Sequence, residues 1–216
     1  MTKGIFFNNF ETSYIPEILT EIYRDHIYKP YFDGRNDLTV VDIGANIGLF
    51  TFYASQFAST IYSVEPAKEH FEVLNQMVEF NKFGEKVTAI NKAIGNHGGK
   101  STLYHNENVT MFSLKEQVNT MPAQAEEVEV ITVKDLFDSY NLKNVDFLKL
   151  DIEGLETEVI CGKGFEPVAK RIKAMVVEWH TWSGSNPSQL VTALSDYGFE
   201  VTPIPSNSVL FGATRK

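Results

Sequence analysis

The sequence predicts an α/β fold: a mostly parallel, twisted sheet with helices on both faces and a C-terminal antiparallel hairpin. Three observations lead there. From Leu38 onward, short β-rich apolar runs alternate with helix-length segments, the pattern of βαβ units whose crossovers force neighbouring strands parallel. Val145–Leu150 and Ile172–Val177 are near-continuous apolar runs, as in strands covered on both faces. Phe199–Ile204 and Val209–Ala213 are joined by a tight Pro205-Ser206-Asn207 turn, so these two must run antiparallel.

Taken in order, Ile15, Ile18, Leu19, Ile22, Tyr23 and Ile27 fall at helical spacing behind Pro16 and predict an opening helix. It lies outside the repeating unit, which divides the chain into an N-terminal helical appendage (1–34) and one domain (35–216). Tyr28-Lys29-Pro30 ends that helix, and Asp33–Asp37 is a turn-rich linker. Strand Thr39–Ile43 then leads to helix Ile47–Phe57, strand Thr60–Val64 to helix Ala67–Lys82, and strand Val87–Asn91 into Lys92-Ala93-Ile94-Gly95. The rhythm breaks in the middle. Ser101–His105 and Glu127–Thr132 read as extended, with the weakly patterned Glu107–Ala125 between them, and a short helix follows at Val133–Tyr140. The region is expected to pass over the carboxyl edge of the sheet, where substrate-determining segments sit. Helices are predicted at Gly154–Cys161 and at Pro187–Tyr197, the latter closed by Gly198.

The sharpest local signal is Leu38–Ala54, LTVVDIGANIGLFTFYA, followed by Ile61–Pro66, IYSVEP. A strand ends in an acid, a glycine turn opens a helix, and a second strand ends in Glu65. That is the build of a site for an adenosine-containing ligand at the carboxyl end of a parallel sheet. A dinucleotide turn would read G-x-G-x-x-G, its middle glycine letting the backbone touch a pyrophosphate. Here the turn is Gly44-Ala45-Asn46-Ile47-Gly48, with Asn46 in the middle and Asp42 beside it to repel a phosphate. S-adenosylmethionine (SAM) has no phosphate and presents a sulfonium and an ammonium. Asp42 is therefore expected to help hold its cationic end. Gly44 and Gly48 would let the backbone pass close to the ligand, and Glu65, reinforced by Pro66, would accept the ribose hydroxyls.

A reaction site is expected at the same edge. Asp151 and Glu153 stand two apart and would share a face if the strand continued. The neighbouring strand ends in Glu178-Trp179-His180-Thr181-Trp182. Methyl transfer from a sulfonium requires in-line alignment, and an alcohol acceptor also needs a positioned base. His180 or Asp151 fits the base, with Glu178 or Glu153 orienting the acceptor or the histidine. Lys149 reads as a salt-bridge partner for a nearby acid. Asp151, Glu178 and His180 form an oxygen and nitrogen set of the kind Mg²⁺ or Mn²⁺ uses, but no tight ligand spacing is present, so no metal is predicted.

Composition bounds the partners. The 216 residues carry 28 acidic and 19 basic side chains, a net charge of −9 without a long basic cluster, which disfavours a bulk nucleic-acid footprint. One cysteine, Cys161, permits neither an intramolecular disulfide nor a multi-cysteine zinc site and reads as a small core or semi-buried residue. No run is long and apolar enough to span a bilayer, and the N-terminus does not read as a signal peptide. A cytoplasmic location is the expectation.

Four segments, VVDIGANIGLFTFYA, SVEPAKEHFEVLNQMVEFN, INKAIGNHGG and FLKLDIEGLETEVI, resemble the FkbM-type SAM-dependent methyltransferases, in family order across Val40 to Ile160, with VVEWH a looser fifth match. The resemblance implies a Rossmann-like class I methyltransferase fold, SAM as methyl donor, and O-methylation of a hydroxyl on a small acceptor such as a sugar or natural-product intermediate. By position, Asp42, Gly44, Asn46, Gly48 and Glu65 match the cofactor pocket, Ala93 its adenine edge, and Asp151-Ile152-Glu153-Gly154 the fourth-strand motif. Asn106–Gln124 does not align. Two other readings stand beside it. An RNA methyltransferase is opposed by the acidic charge and by the absence of an N-P-P-[YF]-like tetrapeptide after the fourth strand. A non-catalytic sensor or partner subunit that binds SAM, or its demethylated product SAH, is opposed by the rim groups Asp151, Glu153 and His180.

Overall fold

In the computed structural model the described residues are 15–105, 112–114 and 124–215. Residues 1–14 of the appendage and most of Glu107–Ala125 lie outside them. In chain order the elements are α1 (Ile15–Leu19), a π-turn (Thr20–Arg24), α2 (Lys29–Phe32), β1 (Leu38–Ile43), α3 (Leu49–Ala54), β2 (Ala58–Val64) and α4 (Lys68–Phe80). There follow β3 (Val87–Ile90), β4 (Ala93–Ile94), β5 (Gly99–His105), β6 (Phe112–Ser113), β7 (Gln124–Ile131), α5 (Val133–Ser139) and β8 (Val145–Leu150). The remainder is α6 (Glu156–Ile160), α7 (Glu166–Ala169), β9 (Ile172–Glu178), a 3₁₀ turn (Thr181–Ser183), α8 (Pro187–Asp196), β10 (Phe199–Ile204) and β11 (Asn207–Arg215).

Seven strands form one sheet in the order β10-β11-β9-β8-β1-β2-β3. Its central pairs, β1 with β2 and β8, and β8 with β9, are parallel. β11 runs antiparallel to both β9 and β10, as the tight turn requires. β1 and β8 are buried almost throughout because helices cover both faces. Pro203 lies in β10, which has a sheet neighbour on one side alone, the position in which a strand tolerates a residue without an N–H.

The helices follow from local chemistry. α4 buries His70, Val73, Leu74, Met77 and Val78, a stripe at three- and four-residue spacing. Thr132 and Asp135 form a reciprocal capping box at the start of α5, and Asn186 caps α8 with Pro187 in its first turn. Gly198 takes a φ of 88° just beyond α8, a left-handed residue that suits glycine.

Several boundaries differ from the sequence expectation. α3 is shorter than Ile47–Phe57 because Gly48 has a φ of 91° and the helix can begin only after it. The opening helix does not run through to Ile27: it loosens into the π-turn, and Pro30 starts α2 instead of ending a helix. The middle region forms its own sheet, β4-β7-β5-β6, with β5 and β7 antiparallel over Gly99–His105. α7 gave no clear signal, at only four residues. Cys161 is exposed, contrary to the expectation of a core or semi-buried residue, since it lies just past α6 on the side away from the sheet's core. Among the described residues no helix is long and apolar enough to cross a membrane.

Two apolar clusters sandwich the main sheet. One gathers α3, α4 and the N-terminal Ile15, Ile22, Ile27, Tyr28 and Phe32; the other gathers α5 to α8. Phe147 on β8 anchors the first, with ring centroids 4.9 Å from Phe32, 5.2 Å from Tyr31, 5.8 Å from Phe50 and 6.1 Å from Tyr28. Rings at such separations stabilise one another beyond the area they bury. The N-terminal segment is thus part of the core. Phe32→Ala is expected to lower the unfolding free energy by about 3–5 kcal/mol, read from the midpoint of urea unfolding; a loss below about 1 kcal/mol would mean that the segment packs loosely.

Candidate active site

β1 and β8 are adjacent and end side by side, and both chains turn sharply there. The two turns almost touch: a Cβ on Gly44 would lie 1.6 Å from the carbonyl oxygen of Asp151, and Gly44 has a φ of 79°. Only glycine fits. Asn46 also adopts a left-handed conformation, with a φ of 51°, which asparagine tolerates better than most side chains. Its Oδ1 accepts the Ile47 N–H at 2.7 Å. Glu65, at the tip of β2, ties the tips together. Its Oε2 accepts the Asn46 N–H at 2.8 Å and its Oε1 the Ala67 N–H at 2.9 Å. Burial pushes Glu65 up to about 7, against the pull of these two hydrogen bonds.

Two cavities flank this turn. The first is lined by Asn46, Glu65, Pro66, His70 and Ala93, by Leu103 from the second sheet and by Leu114 just after β6. The second, of about 400 Å³, is of a size to hold a small molecule. It lies between the N-terminal segment (Glu17, Ile18, Glu21, Ile22) and the end of β9 (Glu178 to Trp182). Asn207 Nδ2 donates to Glu21 Oε1 at 2.9 Å, joining the N-terminal segment to the hairpin. Gly44, Asn46, Asp151 and Glu153 line both cavities.

Of the residues singled out in the sequence, Gly44, Asn46, Glu65, Pro66 and Ala93 line the first cavity, and Asp151, Glu153, Glu178 and His180 the second. Asp42 and Gly48 line neither. Asp42 is fully buried, its Oδ2 accepting from Thr51 Oγ1 at 2.6 Å. Gly48 is a packing glycine, where a Cβ would stand 2.7–2.8 Å from Met77 and Leu74 on α4. Asp151 and Glu153 meet at the rim for a different reason than strand alternation. β8 stops at Leu150, and the chain turns through Glu153 (φ 52°) and Gly154 (φ 98°).

Beneath the cavities lies a connected set of charges. Lys149 pairs with Asp151 Oδ2 at 2.9 Å, donates to the Gly44 carbonyl at 3.1 Å and stands 3.9 Å from Asp42 Oδ1. Burial opposes its charge, but the Asp151 and Asp42 carboxylates hold the ammonium above its usual range. Asp151 would be raised by burial, yet Lys149 and His180 keep it below the ordinary carboxylate range. His180 sits between carboxylates, with Nδ1 2.9 Å from Glu156 Oε1, and Nε2 3.2 Å from Glu153 Oε2 and 3.9 Å from Asp151 Oδ1. Burial would lower its pKa, but Glu153 and Glu156 push it up to about 11. Asp151, Glu156 and His180 bring candidate ligand atoms within 4.8 Å of one another. Lys149 bonds Asp151 Oδ2, while two backbone N–H groups and the imidazole share Glu156 Oε1, so these three residues also form an ion-pair network.

Glu156, inside the helix expected at Gly154–Cys161, was not singled out in the sequence. The signal was there, as a third acid five residues after Asp151 in D-x-E-G-x-E. Glu178 differs from its neighbours: its carboxylate makes no hydrogen bond among the described residues. Burial, with the Asp151 charge nearby, pushes it up to about 8 from an ordinary value of 4.5.

Residues 42–201 match the family described as Methyltransferase FkbM domain. Over 215 residues the chain is 28% identical to Methyltransferase sdnD of Sordaria araneosa, covering 86% of this chain and 82% of that protein. Over 225 residues it is 25% identical to the 31-O-demethyl-FK506 methyltransferase FkbM of Streptomyces tacrolimicus, covering 90% and 84%. The crystal structure of a methyltransferase FkbM from Methylobacillus flagellatus KT superposes with a TM-score of 0.51 at 15% identity. That likeness is one of fold, and the chain covers 43% of the length of that structure and 82% of its own.

The raised Glu178 has a consequence for stability. Its folded-state pKa lies above the unfolded one, so its contribution is full below pH 4.5 and is lost as pH rises through about 8. Glu178→Gln is expected to remove that loss. Its unfolding free energy relative to wild type should rise steadily from about pH 5 to about pH 9 in denaturant titrations. A pH-independent difference would mean that Glu178 ionises as an ordinary exposed carboxylate.

Proposed function

The chain belongs to the FkbM methyltransferase family, a SAM-dependent one, and from that membership we propose that it O-methylates a hydroxyl on a small, uncharged acceptor such as a sugar or natural-product intermediate. The relative from Streptomyces tacrolimicus, named for the substrate 31-O-demethyl-FK506, supports this choice of acceptor class. The observation that carries the reading is the meeting of two cavities at Gly44, Asn46, Asp151 and Glu153. Gly44, Asn46, Asp151 and Glu153 would hold a cofactor where the cavities meet, leaving the second cavity for the acceptor.

The residues fit the cofactor. Each Glu65 oxygen accepts one backbone N–H and keeps a lone pair for a ribose hydroxyl. Ala93, Leu103 and Leu114 give apolar surface for a base. The Asp151 and Glu153 carboxylates at the junction suit cationic groups. When bound, SAM supplies an electrophilic methyl group on a sulfonium.

The chain's part is positioning and proton removal. Ile18, Ile22, Tyr28, Phe50, Trp179 and Trp182 give the second cavity an apolar and aromatic wall. The Trp182 indole N–H has no hydrogen-bond partner among the described residues and serves as a donor to an acceptor oxygen. The described cations that line this cavity, Lys149 and His180, are both engaged with carboxylates, while Glu17, Glu21 and Glu178 also line it. An anionic acceptor would meet net repulsion. Glu178 is the base in this reading: its carboxylate lacks a hydrogen-bond donor among the described residues, burial pushes its pKa up to about 8, and it would take the proton of the acceptor hydroxyl. His180, a charged ring between Glu153 and Glu156, holds those carboxylates in place and leaves the proton to Glu178. Asp151, tied to Lys149, is the weaker base.

Two measurements test this. Calorimetric titration is expected to give SAH binding near micromolar and none of NAD, with Glu65→Ala weakening SAH by about tenfold or more; unaltered binding in that variant would remove Glu65 from the cofactor site. Once an acceptor is found by screening uncharged alcohols with isotopically labelled SAM, Glu178→Gln should cut kcat about 10²-fold with SAH affinity retained. Full turnover in Glu178→Gln would return the proton-accepting role to another group.

A further inference from the structure

We propose that Glu156 is the positioning residue of the active site: its buried carboxylate fixes both the His180 ring and the Ile152–Gly154 turn, and through them the direction in which Asp151 and Glu153 face the ligands. The proposal rests on the methyltransferase reading for what those ligands are, and on the geometry alone for what Glu156 does.

Glu156 begins α6 and is fully buried. One oxygen, Oε1, accepts three donors: the Ile152 N–H at 3.0 Å, the Gly154 N–H at 3.1 Å and His180 Nδ1 at 2.9 Å. The other, Oε2, has no hydrogen-bond partner among the described residues. A carboxylate held this far from water is costly unless a cation stands beside it, and the group placed to supply that charge is the imidazolium of His180.

The turn needs an anchor. Glu153 and Gly154 are both left-handed, at φ 52° and 98°, and a non-glycine residue there stores strain that its surroundings must hold. The reversed backbone aims the N–H groups on either side of Glu153 at a single oxygen of Glu156. Ser113 Oγ donates to the Glu153 carbonyl at 2.6 Å from the other side. Gly154 itself packs under Trp182, where a Cβ would come within 2.8 Å of the indole. The Glu153 side chain is directed to the junction of the cavities by this pinned turn.

His180 carries the effect across. With Nδ1–H committed to Glu156, its Nε2 faces Glu153 at 3.2 Å and Asp151 at 3.9 Å. The charged groups around the ring are Asp151 and Glu153 from the turn after β8, Glu156 from α6 and Glu178 from the end of β9, with Lys149 beyond Asp151; the Trp182 ring lies 5.8 Å away. Nδ1 is hydrogen-bonded to Glu156, while Nε2 meets Glu153 and Asp151 as charge contacts only, an arrangement that favours a proton on each nitrogen.

The test uses full-length protein labelled with ¹⁵N-histidine, the His180 signals being assigned by their loss in His180→Gln. At about pH 8 the wild-type ring should show two protonated nitrogens. Glu156→Gln keeps an acceptor oxygen for the two backbone N–H groups and removes the charge. It should lower the His180 midpoint by about two units or more. Glu156→Ala also frees the turn and should weaken calorimetric SAH binding about tenfold or more. A neutral His180 ring in wild type, an unshifted midpoint in Glu156→Gln, or wild-type SAH affinity in Glu156→Ala would each overturn the proposal. Should either variant fail to fold, the wild-type spectrum still decides, since a neutral ring overturns it and a doubly protonated one supports it. Failure of folded wild-type protein to bind SAH, with His180 charged, would instead overturn the methyltransferase reading on which the ligand-facing role depends.

Discussion

Everything at the carboxyl edge depends on one buried cation. Lys149 holds Asp151 on its own strand's exit and the Gly44 carbonyl on the neighbouring one, with Asp42 at a longer distance. The two central strands of the sheet are joined here by charge as well as by the ladder between them. Burying an ammonium is unfavourable unless its hydrogen bonds and charge are met, and the surrounding acids meet both. Their arrangement is then fixed in turn, because moving any one of them leaves the others uncompensated in a low-dielectric interior. The glycine turn, the Asp151 turn and the cavities on either side are consequences of that constraint.

A second constraint comes from packing. Phe147, one position along β8 from Leu148 and two from Lys149, points to the opposite cluster from Leu148 and gathers Tyr28, Tyr31, Phe32 and Phe50 around it. The N-terminal segment is thereby pressed against the strand that carries the charged network, and Glu21 reaches the hairpin through Asn207. The second cavity owes one wall to this arrangement. A segment that read as an appendage to the repeating unit is, in packing terms, continuous with the first strand and helix.

The repeating part of the fold was legible because its signals are local. β8 and β9 announce themselves as unbroken apolar runs, and the Asn207 turn leaves the hairpin no choice of direction. The site was legible where residue type and conformation are coupled, as at Gly44 and Asn46. It was less so where one signal has two causes. Gly48 reads equally well as a ligand contact and as a packing glycine, and only its distance to Met77 and Leu74 separates them. Asp42 was visible as an acid at a strand end, but its burial under Thr51 depends on contacts made by α3. Glu156 and the pairing of β5 with β7 were hidden because each is defined by partners distant in sequence or by a turn that strand periodicity does not describe. His180 was found, yet its charge state is set by Glu153 and Glu156 together, which no spacing rule expresses.

The strand order of the hairpin bears on how the molecule is made. β10 precedes β11 along the chain but touches the sheet only through it. Residues 199–204 therefore have no ladder to join until 207–215 have paired with β9. Val209, which lines the second cavity, arrives in that same step. The first cavity draws none of its lining from beyond Leu155, whereas the second is complete only once this last strand has paired.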